Sequence, residues 1–144
     1  MPFDNLGGPE RDPDDADLLI AARSLIGLPH LWVKNAYCRE GLGTMRYCAM
    51  AALSTVCERP FLRPGRRVRR LARLLVNEMP NQGGYLLRFV SAPLRVRGYN
   101  DSFATSHDDV LTLFDKAINR LAPYRSSWPV YAHLLHRTLN NFQT

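Results

Sequence analysis

The chain reads as a mainly α protein: a compact bundle of about five helices, with at most one small β-hairpin near residues 85–98. Three observations predict this. Apolar residues recur at spacings of three and four through several segments, the period of an amphipathic helix rather than a strand. Helix-start and helix-stop residues bracket those segments, chiefly Asp or Ser before and Gly or Pro after. Finally, 144 residues with 46% hydrophobic and 22% charged content suit one soluble domain able to bury a core. No repeat, low-complexity tract or linker divides the chain. Residues 1–144 are therefore expected to form a single domain with an acidic, mobile segment at 1–12.

The elements follow in order. Carboxylates from Asp12 to Asp15 sit where the positive end of a first helix would begin. "ADLLIAARSLIG" then puts Leu18, Leu19, Ala22, Leu25 and Ile26 at helical spacing, and Gly27 with Pro29 ends the helix. "LPHLWVKNAYCREGLG" is a structured connection, with Trp32 and Tyr37 as core anchors. Thr44 is the expected cap of a second helix, "MRYCAMAALSTVCE", whose Ala49, Ala51 and Ala52 permit close packing and which Pro60 closes. The third helix, "RPGRRVRRLARLLVNEMP", enters at Pro64-Gly65 and stops at Pro80. At about 100° per residue, Val68, Leu71, Ala72, Leu75, Val76 and Met79 share its inner face. Arg66, Arg69, Arg70 and Arg73 fall on the opposite face.

"NQGGYLLRFVSAPLRVRGYND" contains the Gly83-Gly84 breaker; its "YLLRFV" fits either a short strand or a helical turn, and "PLRVRGY" reads as extended before a turn at Asn100-Asp101. This is where the hairpin is expected. A fourth helix from about Ser106 to Leu121 buries Val110, Leu111, Phe114, Ala117, Ile118 and Leu121, and Pro123 stops it. A last helix runs from Ser127 through "WPVYAHLLHRTLNNF", with Pro129 tolerated in its first turn.

Charge is distributed unevenly. The net value is +6 with a pI near 9.7. Asp4, Glu10, Asp12, Asp14, Asp15 and Asp17 crowd the start of the chain against Arg11 alone. Between 59 and 97 stand Arg59, Arg63, Arg66, Arg67, Arg69, Arg70, Arg73, Arg88, Arg95 and Arg97, opposed only by Glu78. Lys34 and Lys116 are the only lysines. Arginine used this heavily suits planar, bidentate contact with carboxylate or phosphate, although a GC-rich genome produces the same bias. The bland alternative is a solvated face, or one neutralised from within by the acidic "PERDPDDAD".

Several classes of function lose support. The longest apolar stretch, "YCAMAALSTV", falls far short of the roughly 18 residues of a membrane span. The acidic start is unlike a signal peptide, so a cytoplasmic protein that avoids membranes is expected. Cys38, Cys48 and Cys57 are odd in number and form no CxxC, which argues against a disulfide framework or a zinc knuckle. GxGxxG, GxxxxGK[ST] and HExxH are absent, and "EGLG" at Glu40 is too short for a phosphate cradle. His133 and His136 lie three apart on the last helix, but a metal would need further ligands from Cys38 or an aspartate. Neither metal nor cofactor is expected.

Two groupings carry chemistry. In "YNDSFATSHDDVLTLFDKAI", Ser106 and Asp109 have the form of a capping box, with Asp shorter than the usual Glu or Gln. Asn100-Asp101 reads as a turn pair. The sharper alternative brings Cys48, His107 and Asp101 together as nucleophile, base and orienting carboxylate. The other grouping is the arginine face of the third helix, which would attract an anionic macromolecule, either an acidic protein or a nucleic acid.

The same twenty-residue stretch resembles a signature of an uncharacterised family of small bacterial and phage proteins, a domain of unknown function. Asn100 and Asp101 match its Asn-Asp pair, and Ser106 stands in its Thr position. His107, Asp108, Asp109, Val110, Leu113, Phe114, Asp115, Ala117 and Ile118 match the remainder. Upstream, "GLGTMRYCAMAAL" is similar to the family's Gly…Cys-x-x-Gly-Ala-Leu segment through Cys48, Ala52 and Leu53. Tyr99 replaces the usual Trp and Ala51 the Gly, and the arginine helix is no part of the pattern. The resemblance implies no activity, cofactor or catalytic residue. It implies that the second helix and the Asn-Asp pair belong to one structural unit.

The sequence therefore favours a small non-catalytic binding or regulatory protein engaging an anionic partner through Arg66, Arg69, Arg70 and Arg73. A thiol-dependent enzyme using Cys48, His107 and Asp101 is one alternative. A structural subunit of a larger assembly is another, and homo-oligomerisation stays open.

Overall fold

The computed structural model describes residues 14–41, 43–58, 64–80 and 89–122. The acidic segment 1–12, the helix expected from Ser127, and His133 with His136 lie outside them.

The architecture is mainly α with a two-stranded sheet, as the helical periodicity predicted. Helix α1 (Asp15–Leu25) leads through a 3-10 turn (Pro29–Leu31) to strands β1 (Cys38–Gly41) and β2 (Thr44–Tyr47). Helices α2 (Ala49–Val56), α3 (Arg66–Glu78), α4 (Ala92–Asp101) and α5 (His107–Leu121) follow. Helix α2 sits at the centre, buried from Ala49 through Ser54, and packs on α1, α3 and α4. Its alanines let the neighbours approach closely. Helix α5 closes the bundle against α1 and α3.

Helix starts behave as their chemistry dictates. Asp14 caps α1 in a reciprocal box, accepting from Asp17 N–H at 2.8 Å while Asp17 accepts from Asp14 N–H at 3.2 Å. Ser106 and Asp109 do the same for α5: Asp109 N–H donates to the Ser106 hydroxyl at 3.1 Å, and Ser106 N–H to Asp109 Oδ2 at 2.7 Å. The shorter Asp therefore completes the box. Such caps are each worth about 1 kcal/mol, whereas burying Leu71, Leu75, Val110 and Phe114 completely contributes roughly 1.5–3 kcal/mol per side chain.

Three expectations need correcting. Among the described residues the hairpin lies at 38–47, and 92–98 is helical: Cys38 pairs with Tyr47 and Gly41 with Thr44, and Gly43 turns the chain at φ 75. Thr44 accordingly opens a strand, and the cap of α2 is Cys48. Finally, "APLRVRGYND" is helical rather than extended, so Asn100 and Asp101 end a helix instead of forming a turn. Leu94 and Val96 alternate with Arg95 and Arg97, which mimics a strand. The true seam of α4 is Val96 and Asn100, four apart, flanked by Ala92 and Tyr99. One of its two buried positions is polar, so apolar periodicity could not register it.

No helix among the described residues is long and apolar enough to cross a membrane. Phe114 is fully buried where α5 meets the core, whereas Phe103 stands free of the surface at 102% exposure. Replacing Phe114 by Ala should destabilise the protein by about 3–5 kcal/mol in urea unfolding with the denaturant slope unchanged. The Phe103→Ala midpoint should stay near wild type.

Candidate functional site

The pair Asn100-Asp101 does structural work over long sequence distances. Asn100 is completely buried, and its carboxamide uses its full hydrogen-bonding capacity. Its oxygen accepts from the Trp32 indole at 2.8 Å and from Ala49 N–H at 3.1 Å. Its nitrogen donates to the Val33 carbonyl at 3.1 Å and to Asp101 Oδ1 at 2.9 Å. Asp101 Oδ1 also accepts from Asn35 N–H at 2.9 Å, and Lys34 Nζ donates to the Ser102 carbonyl at 2.7 Å. Each residue from Trp32 to Asn35 thus grips the end of α4. Asn35 adopts φ 55, a left-handed conformation that Asn accepts more readily than most residues.

Ala49 is the first residue of α2, so Asn100 satisfies one of that helix's orphan amides. Cys48 satisfies another, its Sγ accepting from Ala51 N–H at 3.4 Å. The unit joining the second helix to the Asn-Asp pair, which the family resemblance implied, is this cap.

Cys48, His107 and Asp101 surround the 32–37 loop, but each is engaged elsewhere. Cys48 is 1% exposed, and burial is the main cause pushing its thiol above the ordinary value. The nearby Asp101 carboxylate adds to that, while the Ala51 amide opposes it. His107 Nε2 lies 2.6 Å from the Ile26 carbonyl, which can only accept, so this nitrogen carries the proton. Its ring packs on Trp32 at 5.4 Å between centroids. Asp101 faces Asn35, Asn100 and, at 3.7 Å, Arg97 Nε. Among the described residues no hydrogen bond links any two of the three. The arrangement fastens α5 and α4 to the loop.

The arginine face has a different character. Arg66, Arg69, Arg70 and Arg73 are all exposed on α3. Arg70 is held by Asp15 of α1 in a fork, Nε to Oδ2 at 2.8 Å and a terminal nitrogen to Oδ1 at 2.6 Å. Internal neutralisation by the acidic start of the chain therefore occurs, at this one position of the face. Among the described residues, no carboxylate pairs with Arg66, Arg69 or Arg73.

Arg69 and Arg73 also line an open cleft of about 480 Å3 between α3 and α4, joined there by Arg97. Arg97 was visible only as one of the arginines near the third helix in sequence. Its place in the cleft depends on "APLRVRGYND" being helical, and the alternating pattern concealed that. Among the described residues, no group of three or more His, Cys, Asp or Glu side chains is arranged to hold a metal.

The model of a family of unknown function, DUF6197, matches residues 10–120, and the chain belongs to that family. Both stretches that carried the resemblance fall inside the match. No curated protein and no solved structure matches the chain.

Asn100→Leu is close in volume but leaves the Trp32 indole, the Ala49 amide and the Val33 carbonyl without their partner. It should destabilise the protein by about 3 kcal/mol or more in urea unfolding. Thiol alkylation should separate the cysteines. Exposed Cys38 should react with iodoacetamide first. Cys48, its pKa raised, should stay unlabelled in mass spectrometry until denaturant opens the fold.

Proposed function

We propose that this member of a family of unknown function is a small, non-catalytic binding or regulatory protein that engages an anionic macromolecule through the outer face of α3. The observation that carries this reading is an electrostatic cost that, among the described residues, no carboxylate offsets at Arg66, Arg69 or Arg73. Arg66 and Arg67 occupy the first turn of α3, whose start carries no acidic residue and no side-chain cap. Cations there oppose the positive end of the helix dipole. Arg66 with Arg70, and Arg69 with Arg73, are like charges four apart, each pair unfavourable by about 0.2–0.5 kcal/mol. Asp15 relieves the first pair at Arg70, and no described carboxylate relieves the second. Positions that break local rules without compensation in the fold are where a binding role is expected.

Exposed guanidinium groups in a row supply bidentate donors for phosphate or carboxylate and steer a negative partner in solution. Over the seven residue steps from Arg66 to Arg73 the row extends about 10 Å, enough to meet several charges of a polyanion at once.

Fluorescence anisotropy with a short duplex DNA, and separately with polyglutamate, tests the reading on the full chain. If Arg66, Arg69 and Arg73 each neutralise one phosphate, the logarithm of DNA affinity should fall with the logarithm of salt at a slope of about −2.7. Replacing Arg66, Arg69, Arg70 and Arg73 together by Gln should abolish capture while circular dichroism and the melting temperature hold. Capture of neither polymer by the wild-type chain at low salt, or equal capture by the variant, overturns the proposal.

A further inference from the structure

We infer that the cleft between α3 and α4 is a binding site for a phosphomonoester carrying an apolar body, gripped by Arg69, Arg73 and Arg97. The inference rests on the reading of α3 as an anion-engaging face and assigns that face a pocket and a ligand class.

The cleft joins two chemistries. Its cationic part is Arg69 and Arg73, one turn apart on α3, with Arg97 contributed by α4. Its apolar part is Met50, Pro64 and Leu94, and the first turn of α4 forms another wall. Among the described residues, no acidic side chain lines it. Arg97 Nε lies 3.7 Å from Asp101 Oδ2. Arg69 and Arg73 repel one another as they stand. A dianion between them would convert that repulsion into two attractive contacts, so ligand affinity gains what the empty fold loses.

Charge and shape select the ligand. Three guanidinium groups offer more donors and more charge than a single carboxylate can use. A terminal phosphate presents three oxygens and close to two negative charges, and guanidinium forks match its geometry. At about 480 Å3 the cleft falls within the roughly 300–1,000 Å3 typical of small-molecule sites. It therefore has space beyond the phosphate for a body resting on Met50, Pro64 and Leu94. Arg66 is not among the residues that line it, which provides an internal control.

Isothermal titration calorimetry of the full chain decides the matter, with phenyl phosphate and adenosine monophosphate as probes and adenosine and glutarate as controls. Saturable binding of the phosphates, absent with adenosine and much weaker with glutarate, is the expected result. Replacing Arg69 and Arg73 together by Gln should weaken phosphate binding about tenfold or more. Their melting temperature should be unchanged or raised, because a like-charge pair has gone. Arg66→Gln should leave phosphate binding within about twofold of wild type, consistent with a merely long-range charge effect. Glutarate binding as tight as phenyl phosphate overturns the ligand class. Phosphate binding indifferent to the Arg69/Arg73 double substitution overturns the site. If the phosphates fail to bind while polyanions are still captured and lost in the fourfold Gln variant, the cleft falls and the α3 face stands. If polyanions are not captured either, both fall together.

Discussion

The carboxamide of Asn100 is the interaction on which the arrangement of this protein depends. It lies in the core, shielded from bulk solvent, where each unsatisfied polar group would cost about 1–3 kcal/mol. Its four bonds join three elements that are distant in sequence: the 32–35 loop, the start of α2 and the end of α4. Helix α4 buries only Val96 and Asn100, too little apolar surface to fix its position by hydrophobic contact alone. The direction of these hydrogen bonds supplies what packing does not. With the loop held, Trp32 becomes a platform for His107, and the His107 bond to the Ile26 carbonyl sets the start of α5 against the end of α1.

The same hub reaches outward. Asp101 accepts from Asn100 and Asn35 on one oxygen and lies near Arg97 on the other. Arg97 in turn lines the α3–α4 cleft. The core amide therefore positions a carboxylate, and the carboxylate biases the one cleft arginine that does not belong to α3. Structural and surface chemistry are linked through a single helical turn, from position 97 to position 101.

Legibility in the sequence followed the kind of force involved. Where apolar burial at helical period decides, as in α1, α3 and α5, the boundaries and inner faces could be read within a residue or two. Ser106 and Asp109 were equally legible, since a cap is a local contest between a side chain and nearby amides. Helix α4 was not legible, because its second anchor is an asparagine and its exposed residues alternate like a strand. Strand β2 was absorbed into the second helix because its partner β1 holds it by backbone bonds that leave little trace in side-chain pattern. Cys48 looked like a potential nucleophile because residue type shows chemistry but not burial. Asn100-Asp101 was conspicuous in the sequence as a pair, yet its partners in the 32–35 loop and at Ala49 lie 51 to 68 residues away.

The two polar clusters differ in a way that bears on function. Around Asn100, donors and acceptors match: the buried amide, the indole, the loop backbone and the helix start exhaust one another's capacity. A cluster satisfied in this way is explained by folding, even though it contains a cysteine, a histidine and an aspartate. Along α3 the balance fails. Asp15 answers Arg70 with a bidentate fork, which demonstrates that the fold can bring a carboxylate to this face. Among the described residues it does so at Arg70 and not at Arg69 or Arg73, the two positions that open into a cleft with an apolar wall. Solvation alone accounts for an exposed arginine on a convex surface. It gives no reason for two like charges to stand one turn apart beside an apolar wall. The physical argument therefore places the search for a ligand at Arg69 and Arg73 rather than at the residues that most resembled a catalytic triad.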